Sequence, residues 1–150
     1  MQVGEVCRHG AISIANTEGI TEAARLMRER HVGFLIVHRL GDDLRRPIGV
    51  LTDRDLVVEV MAKQIDPRAV KVDDLMTRDP VVANETEDLA DVLSGMRLAG
   101  IRRVPVVDAR GALVGVIAID DAFDLITTFM CDITGSIKHE QSVERRARTA

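Results

Sequence analysis

The chain has 150 residues, with 20 Lys and Arg against 24 Asp and Glu for a net charge of −4, 46% hydrophobic residues and no Trp or Tyr. That length holds one compact domain or two small interdependent halves; the acidic balance argues against general nucleic-acid affinity, and the lack of Trp and Tyr argues against a base-stacking platform. No run reaches the roughly 18 to 20 apolar residues of a membrane helix, and "MQVGEVCRHG" lacks the apolar centre of a secretory signal, so a cytoplasmic protein without membrane association is expected.

Cys7 and Cys131 stand far apart with no metal-ligand spacing, which predicts free thiols in a reducing compartment and neither a structural metal nor a disulfide framework. Lysine occurs only at 63, 71 and 138; the other basic residues are arginines, a type suited to bidentate contact with phosphate or carboxylate. A coding bias toward arginine gives the same composition.

In chain order, Ile20, Ala23, Ala24 and Met27 follow helical spacing behind Thr17 and predict a helix over 17–31. "GFLIV" and "PIGVL" then read as two strands joined by the Gly/Asp-rich turn "HRLGDDLRRP", and "DRDLVVEVMAK" as an apolar helix. The second half repeats the pattern. Shifted by 69 residues, "VGEVC" (3–7) meets "VDDLM" (72–76) and residues 16–37 meet 85–106; "RRVPVV" and "ALVGVI" flank the turn "DARG", and "DDAFDLITTFM" closes the copy. The offset falls to 66 at "GVLTDRDL" (49–56) and "GVIAIDDA" (115–122), so the first copy carries three extra residues in its hairpin turn. The fold expected is α+β, two tandem β-α-β-β-α repeats packed sheet to sheet, with repeats at 1–66 and 67–132. The polar stretch 133–150 is expected to continue the last helix part of the way and then fray.

Thr52 ends a strand and precedes a helix with Asp55 three residues on, the pattern of a capping box. The same geometry suits a nucleotide: a helix N-terminus attracts phosphate, and an acceptor-only carboxylate can take both hydroxyls of a ribose. Capping and binding are compatible, and the recurrence of glycine, apolar pair and aspartate at Gly49/Asp55 and Gly115/Asp121 favours binding.

The two motifs, carried by "HVGFLIVHRLGDDLRRPIGVLTDRDLV" (31–57) and "IRRVPVVDARGALVGVIAIDDAF" (101–123), with "LMTRDPVVANETEDLADVL" (75–93) opening the second copy, resemble a tandem pair of cystathionine beta-synthase (CBS) domains, or Bateman module, over residues 1 to about 132. The resemblance implies a pseudo-twofold module with two clefts for adenosine-containing ligands such as AMP, ADP, ATP or S-adenosylmethionine. It places Thr52 and Asp55 with Val82, Ala83 and Asn84 in one cleft, and Arg102, Arg103 and Asp121 with Ser13, Ile14 and Ala15 in the other. Aspartate would hold ribose, and the hydroxyl and basic residues would hold phosphate. Each cleft departs from the pattern: Gly33 and Phe34 replace the arginine pair in the first, leaving the helix end and Arg54 as its phosphate grip, and Ala118 replaces the hydroxyl in the second.

His9, His31, His38 and His139 show no metal spacing, and no nucleophile elbow, phosphate loop or dinucleotide fingerprint occurs, so no enzyme is expected. The carboxylates of "IDDAFD" could hold Mg²⁺, but the helix dipole alone explains them. The expected function is a regulatory module that senses an adenosine ligand and signals to a separate protein, itself a homodimer through the helices after each motif, "LVVEVM" and "AFDLITTFM". The alternative is a structural dimerisation module with degenerate clefts.

Overall fold

Each predicted pair of strands forms a hairpin, and each hairpin is the centre of a four-stranded sheet. The computed structural model describes residues 1–148. The first half contains α1 (Val3–Val6), β1 (Arg8–His9), β2 (Ser13–Ala15), α2 (Ile20–Arg30), β3 (Phe34–His38), β4 (Gly49–Thr52) and α3 (Asp53–Asp55), which continues as a π-helical segment, Leu56–Met61. After a 3₁₀ turn at Pro67–Ala69, the second half adds α4 (Val72–Leu75), β5 (Thr77–Arg78), β6 (Ala83–Asn84), α5 (Leu89–Ala99), β7 (Arg103–Val107), β8 (Leu113–Ala118) and α6 (Ile119–Arg148). The fold is mixed α+β, as the repeat pattern predicts.

Sheet orders are β2-β3-β4-β5 and β1-β8-β7-β6. The two repeats have exchanged their leading strands. β1 lies antiparallel on β8, pairing His9 with Gly115, while β5 lies antiparallel on β4, pairing Arg78 with Gly49. The short helices follow: Val3 of α1 is buried with Leu89, Met96, Val104 and Ile117, and Val72 of α4 with Ala23, Met27, Leu35 and Leu51. The motif glycines make the exchange sterically feasible. A Cβ at Gly115 would stand 2.5 Å from the Arg8 carbonyl oxygen, and one at Gly49 would overlap the Met76 sulfur.

Alternation along the central strands builds two kinds of interior. Leu35 and Val37 face the first helix-covered core, and Val104 and Val106 the second. Ile36 and Pro105, which point the other way, are also fully buried, as strands packed sheet to sheet require. Each such aliphatic side chain contributes about 1.5–3 kcal/mol through burial.

Three local features differ from expectation. α2 begins at Ile20 behind Gly19 rather than at Thr17, because Glu18 and Gly19 are drawn into contact with the second repeat: the Val72 N–H donates to the Glu18 carbonyl, and Gly19 bridges Lys71. The predicted helix after Thr52 is α-helical for one turn and then widens, its Ala62 N–H donating to the Val57 carbonyl five residues back. α6 is continuous to Arg148, so the expected fraying does not begin within the described residues. The three-residue insertion in the first hairpin turn also has a role: the Leu44 carbonyl accepts the Leu113 N–H, tying that turn to β8.

Candidate functional site

The two aspartate motifs start helices in different ways. Thr52 and Asp55 form a complete capping box: Thr52 Oγ1 accepts the Asp55 N–H at 3.2 Å, and Asp55 Oδ2 accepts the Thr52 N–H at 2.8 Å and its hydroxyl at 2.7 Å. The only hydroxyl hydrogen of Thr52 is thereby given to its own cap. At the second motif Ala118 has no hydroxyl, and Asp121 Oδ2 accepts the Ala118 N–H at 2.7 Å. Its other oxygen, Oδ1, accepts from Arg8 Nε, which the strand exchange delivers from β1. Asp121 is 6% exposed, the one charged residue buried among those described.

Asp121 sits in the wall of a cavity of about 510 Å³ between the repeats. The second repeat contributes Arg103, Val116, Ala118 and Asp120. The first contributes the turn Gly10–Ile12 and, from the end of α2 into β3, the run Arg30–Phe34 together with Ile36; Arg8 and His9 complete the wall. The Arg103 guanidinium lies over the Phe34 ring, 6.0 Å from its centroid, within reach of a cation–π attraction that holds its charge at the cavity wall. Three arginines, Arg8, Arg30 and Arg103, therefore line one cavity with a buried carboxylate at a helix N-terminus, which Arg8 alone contacts directly, beside Ile12, Ile36 and Val116. Such a site offers cations for an anionic group, an acceptor for paired hydroxyls and apolar walls for a flat ring.

Of the sequence candidates for this cleft, Arg103 and Asp121 line the cavity. Arg102 does not line it: its guanidinium is 3.8 Å from Asp120, which does, and its carbonyl accepts the Ile119 N–H. Ser13, Ile14 and Ala15 form β2, whose Ile14 is packed in the first core; the cavity is lined by Gly10, Ala11 and Ile12 immediately before it. Arg8, Arg30 and Gly10–Ile12 are absent from the sequence candidates. The repeat alignment placed Arg8 opposite Thr77, an asymmetry that was the available signal.

In the other half, Val82 is exposed and Ala83 and Asn84 form β6, parallel to β7. The Asn84 side chain accepts from the Thr86 N–H and hydroxyl, and its backbone N–H donates to Glu87. Among the described residues no hydrogen bond or ion pair joins this group to Thr52 or Asp55. Asp53 lies against Gly33, where a Cβ would stand 2.5 Å from its carboxylate oxygen, and Gly33 and Phe34, expected in this cleft, line the Asp121 cavity instead.

Cys7 lies in the second core beside this site. Burial, with the carboxylates of Glu85 and Asp121, pushes its thiol pKa up. Cys131 is exposed. Among the described residues there is no cluster of three or more His, Cys, Asp or Glu able to hold a metal ion, and no helix is long and apolar enough to cross a membrane.

Comparison with known proteins gives this geometry a context. An uncharacterized protein of Methanopyrus kandleri is 31% identical over 141 residues, covering 94% of this chain and 70% of its own length. Hypoxic response protein 1 of Mycobacterium tuberculosis is 31% identical over 113 residues, 75% of this chain and 76% of that protein. Against two further archaeal proteins the chain spans only 58% and 42% of their length. The crystal structure of Hypoxic Response Protein I with two coordinated zinc ions has a TM-score of 0.72 at 27% identity, covering 83% of this chain and 98% of that one. A CBS domain protein of Pyrobaculum aerophilum complexed with AMP has a TM-score of 0.73 at 26% identity, covering 81% and 89%. The model of the CBS domain matches twice, over residues 3–62 and 72–128, so that this chain, with its two hairpins, exchanged strands and paired aspartate motifs, belongs to the CBS domain family as a tandem pair.

Proposed function

We propose that the chain is a cytoplasmic regulatory module that takes an adenosine-containing ligand, AMP, ADP, ATP or S-adenosylmethionine, in the cavity around Asp121, and whose occupancy alters its affinity for a separate protein. The observation that carries this reading is the buried Asp121 carboxylate that shares one cavity with Arg8, Arg30 and Arg103. The AMP complex of the P. aerophilum neighbour, of the same fold, supports it. Asp121 would accept the ribose hydroxyls, Arg103 would meet the phosphate, and the base would lie against Gly10–Ile12. The role is binding rather than catalysis, and the module would associate as a homodimer. The cleft at Thr52 and Asp55, with Val82, Ala83 and Asn84, is a second and weaker site, since the Thr52 hydroxyl is engaged.

One observation favours the alternative of a structural module with non-binding clefts: Arg8 already occupies Asp121. Thermal melts with AMP, ADP, ATP and S-adenosylmethionine separate the two. Ligand at about a hundred times its Kd adds roughly 2.7 kcal/mol, a rise of several degrees for a chain of this size. A flat response to the whole panel rejects the sensor.

A further inference from the structure

The family match ends at residue 128, yet α6 runs on to Arg148. Along it Phe123, Ile126, Met130, Ile133 and Ile137 are spaced three, four, three and four residues apart, and each is at least half exposed. That is the a and d seam of a coiled coil, and Phe129 widens it. Little in the extension holds it helical alone: Gly135 sits in its middle and the β-branched Ile133, Thr134 and Ile137 surround it.

We propose that this helix pairs antiparallel with α6 of a second copy of the chain, with Met130 of each against Ile133 of the other. Two features select a second copy in that orientation. The first half of α6 carries Asp120, Asp121, Asp124 and Asp132, while the second carries Lys138, Arg145, Arg146 and Arg148 with Glu140 and Glu144, so two copies are complementary only head to tail. Continued by the same spacing, the seam also reaches Glu140 and Glu144. A parallel pair would press each of these against its own twin in the contact, whereas the antiparallel register sets Ile126 against Ile137, Met130 against Ile133, and Glu140 at the edge beside Phe123. The twofold axis passes between residues 131 and 132, and every contact is made twice. The uncharged Thr127, Thr134, Ser136 and Gln141 flank the seam. This association does not depend on a ligand in the cleft, so its failure leaves that reading intact.

Sedimentation equilibrium on the full chain tests the contact. Ile133→Asp/Ile137→Asp is expected to halve the assembled mass or raise the dissociation constant about 100-fold or more. Ile133→Leu/Ile137→Leu should retain assembly. Both positions are exposed in the single chain, so the variant should keep the thermal melt of the two-sheet body and lose only the ellipticity of the unpaired extension in circular dichroism; unaltered assembly of the Asp variant, or a wild-type chain that stays monomeric, overturns the proposal. Orientation is read by oxidative cross-linking in a Cys131→Ser background. Met130→Cys mixed with Ile133→Cys should give a covalent dimer that neither gives alone, and self-linking of either variant overturns the antiparallel register.

Discussion

Arg8 and Asp121, 113 residues apart in sequence, meet in an ion pair between Nε and Oδ1 that joins the first strand of one repeat to the last helix of the other. Arg8 is largely exposed and Asp121 is not, so the pair matters chiefly as the partner of a buried charge. Arg8→Ala should lower the unfolding free energy by about 1–3 kcal/mol in urea denaturation. Arg8→Lys, with one compact charge in place of the guanidinium fork, should recover part of it.

Asp121→Ala should abolish the melting shift produced by whichever adenosine ligand binds, and Asp55→Ala should leave most of that shift in place. Calorimetric titration of both variants checks the assignment. Equal affinity in the two would show that the ribose is held elsewhere.

The contrast between the caps predicts opposite effects of adding and removing one hydroxyl. Thr52→Ala should destabilise by about 1 kcal/mol through loss of the capping bond to the Asp55 N–H. Ala118→Thr should stabilise by up to about the same amount, because Asp121 already occupies the third helical position and the hydroxyl completes the box. Chemical denaturation midpoints at constant slope read both changes.

Gly115→Ala should destabilise by about 1–3 kcal/mol or more, since the new methyl meets the Arg8 carbonyl rather than a side chain able to swing away. Gly49→Ala should be milder. There the nearest neighbour is the flexible Met76 side chain. Thermal unfolding of the pair distinguishes a rigid clash from a yielding one.

At neutral pH a maleimide should label the native chain once, at Cys131. Cys7 is buried and its thiol pKa is raised, so its thiolate is scarce as well as shielded. Intact-mass measurement before and after denaturation should show one and then two additions. Acid should act separately: the Asp108 carboxyl, bonded by the Ala112 N–H, and that of Asp73, paired with Arg78, are held below their usual pKa. Their stabilisation is complete above about pH 5 and is lost as pH falls through about 4 and below, which unfolding midpoints across that range will follow.

The hairpins and their covering helices were legible because period-two and period-3.6 burial writes Leu35, Val37, Met27 and Met96 into the sequence as apolar repeats. Asp121 was legible because its motif occurs twice. The strand exchange was not, since strands of two residues such as Arg8–His9 and Thr77–Arg78 have no period to read. The identity of Arg8 as Asp121's partner depends on that exchange and was hidden with it. The widening of the helix after Asp55 likewise left no mark, because "LVVEVM" suits an α-turn as well as a π-turn. Arg102 and Arg103 are adjacent in sequence, and only the fold separates Arg103, which lines the cavity, from Arg102, which does not but pairs with Asp120.

The crossed leading strands also make each repeat structurally dependent on the other. A lone repeat would own three strands of a sheet and carry a fourth that fits only a sibling, leaving an open edge and a spare ribbon. Its simplest remedy is to trade ribbons with a second repeat, as the two halves of this chain do within one molecule. Cutting the loop near residue 66 and expressing the two fragments together should therefore rebuild one body, while either fragment alone should pair with itself or aggregate.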